Sequence, residues 1–185
     1  TSILHHSYND ESNPKYHKVN FATLLPVYKK VLSAMFKNMV IFSSYRFDFT
    51  IVNYTCLSNS NYMQAHIHPG TDFTAVHYIQ FDKKHHTSTR FENTFPHAEY
   101  ITYLRPELTK LLSSEHKSNS WAYKDWILDT EEDDFYLASS FLRHKIDPQT
   151  SKNKNRITIV LNIALKRNIS QKTDDIRARP NKLKS

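Results

Sequence analysis

With 185 residues, 39% of them hydrophobic and 23% charged, the chain is long enough for one folded unit with a sizeable core, and no run of about 18 apolar residues occurs, so no membrane-spanning helix is expected. The net charge of +7 invites anionic partners, yet much of the excess sits at one end, where Lys166, Arg167, Lys172, Arg177, Arg179, Lys182 and Lys184 face only Asp174 and Asp175; a solvated basic tail explains it better than a nucleic-acid interface. The single cysteine, Cys56, excludes a disulfide framework and points to a reducing, cytoplasmic compartment.

Residues 1–19 are polar and aperiodic, an irregular lead-in whose start lacks the basic-then-apolar pattern of a signal peptide. Asn20 to Met39 reads as a helix with Asn20 as N-cap. Leu24, Leu25, Tyr28, Val31, Leu32, Met35, Phe36 and Met39 recur at helical spacing as one core-packing stripe. Pro26 conflicts with that reading unless the helix proper begins near it.

Tyr45 to Leu57 alternates and is rich in β-branched and aromatic residues, so a strand is expected, followed by a turn at Ser58-Asn59-Ser60-Asn61. A strand through His66 and His68 breaks at Pro69-Gly70, the only glycine in the chain. Thr71 to Phe81 reads as the next strand, with Thr74, Val76, Tyr78 and Gln80 on one face. Asp82 to Ser88 is a polar loop and Thr89 to Phe95 a short strand. In 97–126 the expectations are a short helix over Pro106–Leu112 and an aromatic lid or added strand over Trp121–Trp126. Glu131-Glu132-Asp133-Asp134 is a solvated acidic turn without calcium-loop spacing. Phe135 to Phe141 is a strand leading to His144, Asp147 to Asn155 a polar loop, and Arg156 to Leu165 the clearest strand. No repeat or linker divides the chain, so a single domain over 1–185 is expected, with its core at about 20–165 and a flexible basic tail at 166–185. Many short strands with one helix packed on a sheet make a mainly β sandwich or jelly roll.

Two pieces of this pattern carry chemistry. On a strand, His66 and His68 share a face and can hold one ion between them, with His144 as the distant third ligand. A His-x-His pair alone is weak, because such pairs also occur on exposed strands. The last strand puts Arg156, Thr158, Val160 and Asn162 on one face and Ile157, Ile159, Leu161 and Ile163 on the other. If the helix covers the apolar face, the arginine points into the barrel. A buried unpaired arginine is costly, and a carboxylate held through two parallel hydrogen bonds stabilises it. An edge strand with its polar face in water explains the same pattern. Three histidines ahead of a strand that opens with arginine suit a mononuclear Fe(II) site with open positions for a chelating cosubstrate and dioxygen.

In that order, Ile51-Val52-Asn53, His66-Ile67-His68-Pro69-Gly70, Thr74-Ala75-Val76-His77-Tyr78, Ser139-Ser140-Phe141-Leu142-Arg143-His144 and Arg156-Ile157-Thr158-Ile159-Val160-Leu161-Asn162 resemble the 2-oxoglutarate/Fe(II)-dependent oxygenase superfamily. Within it they are similar to short bacterial and phage members with a His-x-His-Pro segment. The resemblance covers about residues 45–165 and implies a double-stranded β-helix, a jelly-roll barrel of the cupin type, with Fe(II) at its mouth. It implies His66 and His144 as metal ligands, Arg156 and Thr158 on the distal carboxylate of 2-oxoglutarate, and Tyr78, Asn53 and Asn162 around the cosubstrate. The implied reaction is hydroxylation of a C–H bond by dioxygen while 2-oxoglutarate is decarboxylated to succinate.

The chain departs from the superfamily at His68, where a carboxylate is usual; three imidazoles leave the metal one negative charge short. Asp72 is the nearest carboxylate, and on a straight strand it lies roughly 13 Å away, too far to share an ion unless Pro69-Gly70 bends the chain. Ala75 replaces a glycine and Phe141 a tryptophan. Two rivals remain at this stage: a cupin-like three-histidine metal enzyme that does not use 2-oxoglutarate, and a non-enzymatic binding or structural barrel with a degenerate site. Tyr100, Tyr103, Trp121, Tyr123 and Trp126 are placed near the pocket mouth and fit a peptide, a sugar or a base equally well.

Overall fold

A computed structural model describes residues 5–6, 20–39, 45–93, 125–150 and 153–167. The elements, in chain order, are β1 (His5–His6), α1 (Phe21–Asn38), β2 (Tyr45–Leu57), β3 (Met63–His66), β4 (Phe73–Gln80), β5 (Thr89–Glu92), β6 (Asp125–Ile127), β7 (Phe135–Ser139), β8 (His144–Ile146) and β9 (Arg156–Arg167). The expectations for Pro106–Leu112, for Tyr100, Tyr103, Trp121 and Tyr123, and for the tail beyond 167 lie outside the described residues.

The strands form two antiparallel sheets, β1-β2-β9-β4-β7 and β3-β8-β5-β6. From β2 to β9 the chain crosses repeatedly from one sheet to the other, the winding of a jelly roll. The long pairing of β2 with β9 fixes the frame. Asn53 lies opposite Val160 and Thr55 opposite Thr158, all pointing between the sheets, while Tyr54 opposite Ile159 and Cys56 opposite Ile157 point outward. A register shift between Phe49 and Ile51 bulges β2.

The outward face of the larger sheet is apolar and needs cover. Helix α1 supplies it: Tyr28, Leu32 and Phe36, four residues apart, are buried against Tyr54, Cys56, Ala75, Ile159, Leu161 and Ile163. Val31 and Met39, expected in the same stripe, are exposed; the helix meets a flat sheet along a narrower seam than the sequence periodicity allows. Asn20 makes no side-chain cap, and the first turn is closed instead by the Thr23 amide donating to the Asn20 carbonyl. Pro26 sits inside the helix, not at its start. It gives up one backbone hydrogen bond, a loss the packed face offsets.

One polar link crosses this contact. The Tyr28 hydroxyl meets His77 Nδ1 at 2.8 Å, and His77 Nε2 meets an Asp133 carboxylate oxygen at 2.8 Å. Burial, then the Asp133 charge, pushes the Tyr28 phenol up to about 12.

Strand boundaries differ from expectation around the only glycine. Strand β3 stops at His66, so His68 lies beyond the strand, and β4 starts at Phe73 rather than Thr71. Gly70 has φ +79°, and nothing stands within 4 Å of where a Cβ would be, so the demand for glycine is torsional. The turn is pinned on both sides: the His68 amide donates to the Ser140 carbonyl at 2.8 Å, and the Thr71 hydroxyl to the Ile163 carbonyl at 2.6 Å. No described helix is long and apolar enough to cross a membrane.

Candidate metal centre

Three imidazoles converge between the sheets. His66 ends β3, His68 follows it in the turn, and His144 opens β8 directly opposite His66 in the register. Their available ligand atoms all lie within 4.8 Å of one another, and the ring centroids are 4.5–5.2 Å apart. Backbone carbonyls set two tautomers. His66 Nδ1 faces the Gln64 carbonyl at 2.8 Å and His144 Nδ1 faces the Leu142 carbonyl at 2.9 Å. A carbonyl only accepts, so both Nδ1 atoms carry the proton and both Nε2 atoms present lone pairs.

His68 Nε2 lies 3.2 Å from His144 Nε2. Two lone pairs at that distance repel unless a proton or a cation sits between them. Metal–nitrogen bonds of about 2.1 Å at right angles would put two nitrogens about 3 Å apart, so the donor set fits a shared divalent ion. Burial, then the proximity of His66 and His68, pulls the His144 imidazole down to about 4, with its carbonyl hydrogen bond opposing. Burial, then the neighbouring His66, lowers His68 as well, with the Asn162 side chain opposing. Both rings are therefore neutral at physiological pH, the form a metal requires.

The histidines share a cavity of about 50 Å³ with Asn53, Thr55, Met63, Val76, Thr89, Ile146, Arg156, Thr158 and Val160. Arg156, 0% exposed, is the group that sets its character. Its Nε donates to the Thr87 carbonyl at 3.1 Å, one terminal nitrogen to Thr89 Oγ1 at 3.2 Å, and the other to Thr158 Oγ1 at 3.5 Å. Its guanidinium carbon stands 4.8 Å from the centroid of the Tyr78 ring. No carboxylate among the described residues pairs with it. Burial accordingly lowers its pKa from the ordinary value, against the Tyr78 hydroxyl.

Asn53, 8% exposed, brings a buried Oδ1 with no hydrogen-bond partner. Thr158 Oγ1 also meets Thr55 Oγ1 at 2.7 Å. Tyr78 stands behind the arginine rather than in the cavity wall. Burial would raise its phenol, but the Arg156 charge and hydrogen bonds from Ser88 and Thr89 bring it below its usual value. Asn162 reaches neither the arginine nor the cavity wall; it accepts from Thr74 Oγ1 at 3.3 Å. Asp72 is not part of the cluster: its carboxylate accepts from the Leu165 amide at 2.7 Å, tied to the backbone of β9.

Sequence reasoning missed Thr89, Thr87 and Thr55, which hold the arginine and its neighbour. Alternation within β2 and β5 marks Thr55 and Thr89 as inward-facing, but only the folded pairing reveals that they meet Arg156. Next to the cavity lies a larger groove of about 820 Å³, lined among the described residues by Phe91, Trp126, Ile127, Leu128, Tyr136, Ala138 and Leu142 with Asp125, Phe135 and Leu137. The two spaces share no lining residue; the buried Phe91 ring lines the groove and lies 5.5 Å from the His144 ring of the cavity.

Comparison with known proteins agrees with this architecture. A family described as "Putative 2OG-Fe(II) oxygenase" matches residues 53–162, more than half of the chain. No curated protein matches by sequence. Among solved structures, an oxidoreductase of the 2OG-Fe(II) oxygenase family from Burkholderia pseudomallei superposes with a TM-score of 0.54 at 9% identity, over 80% of this chain and 61% of that one. The chain thus spans about three fifths of that protein's length. A cupin domain from Bordetella pertussis gives a TM-score of 0.33 at 9% identity, over 65% of this chain and 93% of that one. The family match over residues 53–162 takes in all three clustered histidines and the buried arginine, and the chain belongs to the 2OG-Fe(II) oxygenase family.

Proposed function

We propose that the protein is an Fe(II)- and 2-oxoglutarate-dependent dioxygenase of the hydroxylase type. The observation that carries this reading is Arg156: a fully buried guanidinium with no carboxylate partner among the described residues, in one cavity with three clustered imidazoles. A dicarboxylate with a chelating 2-oxo group answers both demands.

His66, His68 and His144 hold the iron through nitrogens, with the Nδ1 protons of His66 and His144 fixed on the Gln64 and Leu142 carbonyls. Arg156 binds the distal carboxylate, with Thr158 alongside, and Thr87 and Thr89 hold the guanidinium in place. Tyr78 backs it with its ring face and ties Thr89 through a 2.6 Å hydroxyl contact. Asn53 offers its free amide oxygen to a donor entering the cavity. Met63, Val76, Ile146 and Val160 wall out water. When bound, iron would supply the oxidative chemistry with dioxygen as the oxidant: one oxygen atom would go to 2-oxoglutarate, giving succinate and carbon dioxide, and the other to the hydroxylated C–H bond.

The test is binding of Fe(II) and 2-oxoglutarate together with succinate release, in the native protein and in Arg156→Ala and His144→Ala. Loss of 2-oxoglutarate binding in the first and of metal binding in the second is expected. Unchanged binding in both would remove the assignment.

The all-nitrogen donor set favours one alternative, a three-histidine metal enzyme that does not use 2-oxoglutarate. That reading predicts metal affinity indifferent to 2-oxoglutarate, and it leaves Arg156 without a role.

A further inference from the structure

The grip on Arg156 continues beyond the cavity wall. Thr89 Oγ1, which accepts from the guanidinium at 3.2 Å, meets the Tyr78 hydroxyl at 2.6 Å. That hydroxyl accepts from the Thr89 amide at 3.0 Å and faces Ser88 Oγ at 3.5 Å. Ser88 Oγ meets Thr130 Oγ1 at 2.5 Å. Thr130 Oγ1 in turn meets the Leu128 carbonyl at 3.2 Å and the Tyr136 hydroxyl. The inner end of this series, Arg156 and Thr89, lines the metal cavity. Its outer end lies elsewhere: Leu128 and Tyr136 line the large groove, and Ser88 and Thr130 line a separate space of about 290 Å³.

The protons give the series a direction. A carbonyl only accepts, so Thr130 donates to Leu128, and its oxygen accepts from Ser88 and Tyr136. The Ser88 proton is then committed outward, so Ser88 accepts from Tyr78, and Tyr78 accepts from Thr89. From the guanidinium to the Leu128 carbonyl, every donor along the line points away from the arginine. Arg156, Tyr78, Thr89 and Thr130 are all buried, and aligned hydrogen bonds strengthen one another where water is excluded.

We propose that Thr130 is a positioning residue for Arg156, acting from outside the cavity through Ser88, Tyr78 and Thr89. Without the Thr130 oxygen, the Ser88 proton loses its acceptor and can turn on Tyr78. Tyr78 then donates to Thr89 and competes with the guanidinium for its lone pairs, which loosens the arginine. The placement of the guanidinium follows from contacts within the chain; the consequence for cosubstrate affinity rests on the 2-oxoglutarate reading above.

The experiment uses the full chain loaded with Zn(II), a redox-silent stand-in for iron. Two quantities are read: calorimetric affinity for 2-oxoglutarate, and hydrogen exchange of the Arg156 Nε–H by NMR, its signal identified by its absence from Arg156→Lys. Thr130→Val keeps the shape and removes the hydroxyl. It is expected to weaken 2-oxoglutarate at least about fivefold and to speed the exchange at least about threefold. Thr130→Ser returns the hydroxyl and is expected to recover most of both. Ser88→Ala, at a half-buried position, cuts the same series and is expected to act in the same direction. Combining it with Thr130→Val is expected to stay within about twofold of Thr130→Val alone, because a broken series cannot be broken again. Leu32→Ala weakens the fold under α1, away from the series, and is expected to keep 2-oxoglutarate affinity within about twofold. Native exchange and affinity in Thr130→Val, or an affinity loss in Leu32→Ala as large as in Thr130→Val, would overturn the proposal and leave the 2-oxoglutarate reading standing. If the native protein does not take 2-oxoglutarate, that reading falls, and the exchange rates in Thr130→Val and Thr130→Ser still decide whether Thr130 positions the arginine.

Discussion

Arg156 is the residue on which the chemistry and the stability disagree. Burying a guanidinium without a counter-charge costs the fold several kcal/mol before its hydrogen bonds to Thr87, Thr89 and Thr158 are counted. Arg156→Met removes that cost and most of the affinity for a carboxylate ligand. The expected outcome is a loss of at least about 100-fold in 2-oxoglutarate affinity by calorimetry, with a metal-free Tm equal to or above the native one. A drop of many degrees would mean that the arginine is a structural pin. His144 gives a second prediction. Its folded pKa lies near 4 and its unfolded value near 6.5. Between those values the unfolded chain binds the extra proton, so stability is full above about pH 6.5 and is lost as pH falls toward about 4. The loss from this ring is on the order of 3 kcal/mol, and His68 contributes in the same direction. Thermal melts of metal-free protein across that range check it, with a shallower slope expected in His144→Gln.

At the scale of elements, α1 and β9 were legible because each has a period that burial enforces. Along β9 the alternation of Arg156, Thr158, Val160 and Asn162 against Ile157, Ile159, Leu161 and Ile163 separates the cavity side from the helix-covered side, as the structure shows. Tyr45–Leu57 appears with the expected limits for the same reason. What could not be read was the turn after His66. A His-x-His pair on one strand face needs the strand to continue, and it does not; His68 reaches its neighbours from a turn held by Ser140 and Ile163. Those anchors lie over 70 residues away in sequence, and nothing local encodes them. The grip of Thr87 and Thr89 on Arg156 was invisible for the same reason. Pro26 provides a test of the helix. It denies α1 one backbone bond in its second turn, so Pro26→Ala is expected to raise stability by about 1–2 kcal/mol, less than the full interior proline penalty because alanine also frees the unfolded chain. Leu32→Ala, at 0% exposure under the same helix, is expected to cost about 2–5 kcal/mol. Chemical denaturation measures both.

For the whole molecule, the larger sheet carries opposite assignments on its two faces: an apolar outer side packed on α1, and a polar inner side, facing the second sheet, left incomplete. The inner side holds an orphaned amide oxygen, a guanidinium with no counter-charge among the described residues and two imidazole nitrogens 3.2 Å apart, groups that a metal and an anion would bind. Metal and 2-oxoglutarate together are therefore expected to stabilise the protein by more than the sum of their separate effects. At a hundredfold excess over Kd each ligand contributes about 2.7 kcal/mol, and differential scanning calorimetry with each alone and both together resolves the excess.

Phe91 gives the barrel a further property. Its ring lines the groove of about 820 Å³ and lies 5.5 Å from His144, a wall of the chamber of about 50 Å³. The ring is not one of the clustered imidazoles, so trimming it changes the groove on the far side of His144. Phe91→Leu or Phe91→Ala therefore widens the groove where it approaches the metal centre, and the size of guest it accepts becomes a single-codon variable while the histidines and arginine stay as they are.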